Sequence, residues 1–368
     1  MHPTITLTDT DRDLPEHIKN GFMRYRDFKP LTQGGEAMLQ TCLDENLGRV
    51  VVMKTLLPQL QNLEVYRKRF LREARVTALI PHPATVPVYE ISRDREGNTY
   101  FTMKRLGGRD LCDILDKIAE RDEATVKAFP LDDLLNIMIH VGQCLSYAHA
   151  IGVVHRDVKP ANIMVGDYGE VTLLDWGLAK VWDMEETDDL ERFVRSGQQQ
   201  QVSGRLTGRG DVQGTPFYMS PEQVRETGDV DARTDVYNMG IILFEILTNQ
   251  SFMSGKNFNE IKRKILEDPV RSPGDTIGRS KVPPELDAIC LKALLKDPKD
   301  RYATMEAFVD DIRAYLLGKP VSVYKSPPLA RLLNSSSRRT FNISSFLWMT
   351  FGALGILILQ LLWKLLVR

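Results

Sequence analysis

The sequence predicts an α+β fold in which a small strand-rich part precedes a larger helical part, with one apolar helix at the C-terminal end. Three observations carry this reading. Short β-like runs broken by turn residues fill the early part of the chain, and long runs with helical spacing begin near residue 131. The third is FLWMTFGALGILILQLLW, residues 346–363, which carries no charge.

In order along the chain, Met1 to about Gly21 is polar and irregular and reads as a loosely held leader. Strand-like runs follow at Leu39–Leu43 and Arg49–Lys54, separated by the turn-forming DENLG of Asp44–Gly48. An amphipathic helix is expected over Leu63–Ile80, stopped by Pro81, then strands at Val86–Ile91 and Thr99–Met103. Helices are expected at Leu131–Ala150, Asp235–Leu247, Pro284–Leu295 and Met305–Leu317, the last ended by Gly318 and Pro320. Leu178–Gly214, with its acidic block and glutamine run, is a long connection of the kind that carries function or stays unfolded. Lys319–Ser345, rich in Pro, Ser and basic residues, reads as a linker, and no internal repeat is present.

The 368 residues are 43% hydrophobic, enough for a sizeable core, and 48 basic residues nearly cancel 49 acidic ones. That balance supplies no field for nucleic acid, which is excluded as a partner class. Cys42, Cys112, Cys144 and Cys290 are scattered, without the close pairs of a zinc or redox site, and read as buried thiols in a reducing compartment. The N-terminus has no basic region followed by an apolar run, so no cleaved secretion signal is expected.

Residues 346–363 would extend about 27 Å as a helix, close to the hydrocarbon thickness of a bilayer. A core helix keeps a polar stripe, whereas this run is apolar on every face, so a membrane span over 345–367 is expected. Trp348 and Trp363 sit near its ends as interfacial anchors. Arg331, Arg338 and Arg339 precede it and only Lys364 and Arg368 follow, a bias that puts the N-terminal side in the cytoplasm.

The strongest chemical signal is HRDVKPAN, His155–Asn162, followed thirteen residues later by Asp175 in LDWGLA. Phosphoryl transfer requires metal ions on the phosphates, a positioned hydroxyl and compensated charge, and this set can supply all three. Asp157 can accept the proton of the attacking hydroxyl, Lys159 can neutralise the transferring group, and Asn162 and Asp175 offer hard oxygen ligands to magnesium.

On these motifs the chain resembles the eukaryotic-like serine/threonine protein kinase family, over about Tyr25–Leu317. The resemblance implies a bilobal fold, with a small β-rich N-lobe over 24–105 and a large helical C-lobe over 106–318. A leader over 1–23, a juxtamembrane linker over 319–344 and the span complete the division. It matches Lys54 of VVMK to the lysine on the α- and β-phosphates and Glu73 of FLREARV to its ion-pair partner. The phosphate-covering loop would be TQGGEA, in which Gly34 is retained beside an extra Gly35 while Thr32 and Ala37 replace the flanking glycines. Weakened nucleotide grip is expected there rather than exclusion. Met103 falls at the gatekeeper position, Lys104–Leu106 at the hinge whose backbone would hold adenine, and Leu39 and Val52 on the nucleotide side of the sheet.

In GTPFYMSPEQ, Thr215 would support Asp157 and Lys159, and Glu222 would pair with Arg301 of KDPKDRYAT. Asp235 would hold the catalytic loop through backbone amides. Lys159 resembles the serine/threonine branch, and Ala161 argues against arginine-guided substrates. Arg156 resembles kinases switched by activation-loop phosphorylation, with Thr207 and then Ser203 as candidates. ATP and Mg2+, protein substrates bearing Ser or Thr, a cytoplasmic kinase domain and a dimer for trans-autophosphorylation are what the resemblance implies.

Three other readings compete with this one. A membrane-anchored pseudokinase scaffold fits the degenerate loop but gives no reason to keep Lys54, Glu73, Asp157, Asn162 and Asp175 together. A small-molecule kinase has no use for GTPFYMSPEQ paired with Arg301. A receptor with an external sensing part is disfavoured, since few residues follow Val367.

Overall fold

A computed structural model describes residues 18–181, 215–225 and 230–325. The expected span at 345–367 lies outside these residues, as do Thr207 and Ser203. Among the described residues no helix is long and apolar enough to cross a membrane.

The first lobe is a five-stranded antiparallel sheet, order β1-β2-β3-β5-β4, made of β1 (Tyr25–Gln33), β2 (Ala37–Asp44), β3 (Arg49–Leu56), β4 (Val88–Arg93) and β5 (Thr99–Lys104). Helix α1, Glu64–Leu79, covers one face through Phe70 and Ala74, which pack with Leu56 and Phe101. On the opposite face Tyr25, Cys42, Val51, Met53 and Tyr100 form a separate cluster. Period-two alternation on β3 therefore sends Val51 and Met53 one way and leaves Lys54 on the side facing α1. Residues 18–23, read with the leader, include Phe22 stacked on Phe28 with ring centroids 5.5 Å apart, and Lys19 paired to Glu45 at 2.7 Å. The leader boundary at 23 is thus too late, because Phe22 has an apolar site on the sheet to fill.

The second lobe is helical: α2 (Leu111–Ala119), α3 (Glu123–Ala128), α4 (Leu131–Ala150), α5 (Pro221–Arg225), α6 (Ala232–Thr248), α7 (Phe258–Glu267), α8 (Pro273–Ile277), α9 (Pro284–Ala293) and α10 (Met305–Leu316). Every residue of α6 from Thr234 to Thr248 is buried, so this helix is the axis on which α4, α9 and α10 pack. Fully burying side chains such as Leu243 and Phe244 contributes roughly 1.5–3 kcal/mol each. Gly142 on α4 lets α10 approach: a Cβ there would sit 2.3 Å from Val309 Cγ2. The chain beyond α10 stays attached, since Val321 is buried and Asp311 accepts from Ser322 N at 2.6 Å and Ser322 Oγ at 2.7 Å. The first residues of the expected linker are therefore part of the helical lobe.

Small ladders line the junction between the lobes. Strands β6 (Arg109–Asp110), β8 (Ile163–Val165) and β9 (Val171–Leu173) pair in the order β6-β8-β9, while β7 (Val153–Val154) pairs β10 (Lys180–Val181). Leu173 N donates to Ala84 O at 2.8 Å, stitching this platform to the segment after α1. The turns between these strands carry His155–Asn162 and Asp175. Of the thiols, Cys42, Cys144 and Cys290 are buried as expected, but Cys112, at the start of α2, is only half-buried.

Candidate active site

The turn after β7 is held from beneath. Asp235, on the first turn of the buried α6, accepts from His155 N and Arg156 N, both at 2.9 Å, and bonds His149 Nε2 at 2.7 Å. Burial alone would raise this carboxyl, yet His149, His155 and the amide donors hold it below its ordinary range. The anchor allows Arg156 a left-handed φ of 67°, a conformation costly for a non-glycine residue. Arg156 Nε donates to Leu178 O at 2.7 Å, and Gln223 Nε2 donates to Arg156 O at 2.8 Å. The His155 ring packs tilted against the fully buried Trp176, centroids 4.6 Å apart, and its Nε2 lies 3.0 Å from Leu174 O.

This support aims Asp157, 4% exposed, into the junction. Its Oδ2 accepts from Lys159 Nζ at 2.8 Å and from Asn162 Nδ2 at 3.3 Å, while Oδ1 has no hydrogen-bond partner among the described residues. Burial pushes the Asp157 carboxyl above its ordinary value, Lys159 opposes this, and the negative charge of Asp175 adds to it. Asn162 Nδ2 also donates to Asp157 O at 2.9 Å, which leaves its amide oxygen as the group available to a cation. Leu174 N donates to Asn162 O at 2.7 Å, joining the loop that ends in Asp175 to the His155–Asn162 turn. Asp175, exposed at φ 63°, accepts from Gly177 N at 3.3 Å. Loss of water around its carboxyl at the lobe junction would raise its pKa, but Lys54, Arg69 and Lys159 keep it below the ordinary value.

From the sheet lobe, Lys54 Nζ meets Glu73 Oε1 at 2.5 Å. Burial would lower the lysine, but Glu73 and Asp175 together raise it, so it stays charged. Lys54 lies opposite Leu39 on β2 and Phe101 on β5, and Val52 lies opposite Met103. Lys104 N is committed to Pro87 O at 3.0 Å, so only its carbonyl is left to a base, and Leu106 follows half-buried. The loop at Thr32–Ala37 closes β1 onto β2, with Thr32 opposite Leu39 and Gly34 N donating to Ala37 O at 3.0 Å. Neither Gly34 nor Gly35 has a positive φ, and a Cβ would meet nothing at Gly35 and only Ala37 O, 3.8 Å away, at Gly34. Nothing in the protein's own packing requires those glycines, whereas a polyphosphate lying under the loop would.

Glu222 and Arg301 pair as the resemblance implies, with bonds of 2.7 and 2.8 Å at 5% and 0% side-chain exposure. Thr215 begins the short turn Thr215–Tyr218, but its side chain lies outside the described set. Two participants escaped the sequence reading. Gln223 braces the His155–Asn162 turn, and Arg69 on α1 donates to Gly177 O at 3.2 Å and to Glu36 Oε1 at 2.9 Å. Arg69 precedes Glu73 by one helical turn, and that spacing is the signal that could have found it.

A family model for the protein kinase domain matches residues 25–311. Similar curated proteins include the serine/threonine-protein kinase PknD of Chlamydia felis, 33% identical over 303 residues that cover 81% of this chain and 31% of that protein. The protein of that name from Protochlamydia amoebophila is 33% identical over 300 residues, covering 80% and 30%. That from Chlamydia trachomatis is 30% identical over 321 residues, covering 84% and 33%. The chain spans about a third of the length of these relatives. With the matched span covering most of its length and the matched residues gathered at one junction between lobes, the chain belongs to the protein kinase domain family.

Proposed function

We propose that this protein transfers the γ-phosphoryl group of ATP to serine or threonine hydroxyls of other proteins, and does so from a membrane to which its apolar C-terminal segment tethers it. One observation carries the catalytic reading: Asp157 Oδ1 is buried, unpartnered among the described residues, and sits beside an Oδ2 already held by Lys159 and Asn162. A buried acceptor left open in a fully braced turn suits a substrate hydroxyl.

In this mechanism Lys54, kept charged and fixed by Glu73, holds the nucleotide phosphates from the sheet side. Asp157 orients the incoming hydroxyl and takes its proton as the new bond to the γ-phosphorus forms and the bond from that phosphorus to the bridging oxygen breaks, ADP leaving with the bridging oxygen, and Lys159 offsets negative charge on the group in transfer. Asn162 and Asp175 are the residues that would hold magnesium, whose part is to neutralise phosphate charge. An amide oxygen left free of the Asn162 Nδ2 bond and a carboxylate kept ionised are hard-oxygen donors of the kind that fits this ion.

The test is phosphate incorporation by the full-length chain, in detergent, from labelled ATP with magnesium. Wild type is expected to label itself or a generic protein substrate, and Asp157→Asn to lose at least about a hundredfold of that rate. Equal labelling by the two would sink the reading. The pseudokinase alternative is disfavoured by the formed Lys54–Glu73 pair. Deleting Ser345 onward is expected to release the protein from membrane fractions. Thr207→Ala is expected to lower activity if that residue is the activating phosphosite, with dimers as the route to its modification.

A further inference from the structure

We propose that Arg69 is a positioning residue that ties the phosphate-covering loop and the Asp175–Gly177 segment to the same turn of α1, so that grip on the nucleotide and placement of the metal-binding carboxylate are set together. The proposal deepens the kinase reading and rests on it. Arg69 and Glu73 are four residues apart and leave the same face of α1. Glu73 reaches Lys54 on β3; Arg69 reaches past it in two directions. Its NH1 is 2.9 Å from Glu36 Oε1, at the tip of the loop, and its Nε donates to Gly177 O at 3.2 Å.

Both ends are places where the contact has leverage. Glu36 lies in the loop whose flanking glycines are replaced by Thr32 and Ala37, and its carbonyl already accepts from Leu57 N at 2.9 Å, so side chain and backbone are held from opposite sides. Gly177 is closely hemmed: a Cβ there would lie 3.0 Å from Asp175 Oδ1, 3.5 Å from Glu73 Oε2 and 3.7 Å from Arg69 Nε. A shift of Arg69 is therefore felt at Asp175 through the Gly177 backbone between them. The two contacts differ in setting, since the Arg69 side chain is 13% exposed and that of Glu36 is 38% exposed. The Glu36 arm should weaken in salt, and the shielded Gly177 arm should not.

The experiment measures calorimetric Kd for MgADP, together with KM for ATP and the magnesium dependence of the rate, on the full-length protein in detergent. Glu36→Gln is expected to raise Kd and KM about 2–5-fold, the range for a partly exposed ion pair, with a smaller change in kcat. Arg69→Gln is expected to raise them about 10-fold and also to raise the magnesium concentration giving half-maximal rate. Combining Glu36→Arg with Arg69→Glu should recover the nucleotide affinity but not the magnesium dependence, because no donor to Gly177 O is restored. Raising NaCl from about 50 to 500 mM should weaken wild-type nucleotide binding about twofold more than that of Glu36→Gln. Wild-type affinity in Glu36→Gln, or no recovery in the exchanged pair, overturns the proposal. Binding is measured without transfer, so a failure of the clasp is distinct from a failure of the catalytic reading, which would show as wild type that binds MgADP and transfers nothing. Arg69→Lys, which keeps one charged donor, guards against misfolding and should fall between wild type and Arg69→Gln.

Discussion

Two of the carboxylate–cation pairs among the described residues, one in each lobe, are built for different purposes. Glu222–Arg301 in the helical lobe is closed. The guanidinium bonds both carboxylate oxygens and also donates to Leu295 O, Arg233 O and Lys296 O, Thr234 Oγ1 bonds the same carboxylate, and Tyr237 stacks under the cation at 4.7 Å. Lys54–Glu73 at the lobe junction is open: it has one short bond, 19% and 13% side-chain exposure, and Asp175 and Arg69 as further charges nearby. A saturated pair can only support structure, whereas a pair with spare donors beside a cleft can exchange part of its interaction with a ligand.

Substitutions can break that contrast. Arg301→Met should strand Glu222 in the interior and destabilise the fold by about 3–5 kcal/mol, read by chemical denaturation. Lys54→Met should do the reverse. It should cost on the order of a hundredfold in kcat/KM, while unfolding free energy changes by only about 1 kcal/mol, because water and Arg69 can still reach Glu73. A stability loss as large as that of Arg301→Met would erase the distinction.

A third buried carboxylate sharpens the comparison. Among the described residues, Glu245 is bonded by uncharged donors alone, Tyr218 OH at 2.8 Å, Ser251 Oγ at 3.4 Å and Phe252 N at 3.5 Å. Burial pushes its pKa up to about 7. Burial would also raise Glu222, but the Arg301 hydrogen bonds hold it below the ordinary value. Between the ordinary carboxylate value of 4.5 and about 7 the native state keeps a proton that the unfolded chain has released. Stability from this site is therefore full below that window and falls as pH rises through it. Glu245→Gln should flatten this slope and leave the variant more stable than wild type at pH 8 by on the order of 1–3 kcal/mol, seen as a higher Tm. The smallest effect is expected at Gly35→Ala. Unfolding free energy should change by about 0.5 kcal/mol or less, since a Cβ meets nothing within 4 Å, while KM for ATP rises if phosphates lie beneath it.

Much of this arrangement was legible beforehand. The helix expected at Leu131–Ala150 has those ends, and that at Leu63–Ile80 differs by one residue at each. Strand β1 was missed because only Tyr25 in it is buried and Pro30 interrupts it, so an edge strand shows no alternation. Helix α7 was missed because its buried residues are Ile261 and Ile265 alone, one turn apart in a ten-residue segment. Arg69 was missed because its one-turn spacing from Glu73 puts it on the same helix face but does not reveal the carbonyl, 108 positions away, that it meets.

The sequence by itself determined which residues are candidates for chemistry. His155–Asn162 and Asp175 stand out by residue type and spacing, and Lys54 and Glu73 by their match to the family's motifs. Only the tertiary structure decided what state each charge is in. Glu222 and Glu245 are the same residue type and both buried, yet one is held ionised and the other drawn toward protonation. The reason is that a carboxylate's pKa depends on desolvation and on the neighbours within a few ångströms, and those neighbours come from remote parts of the chain.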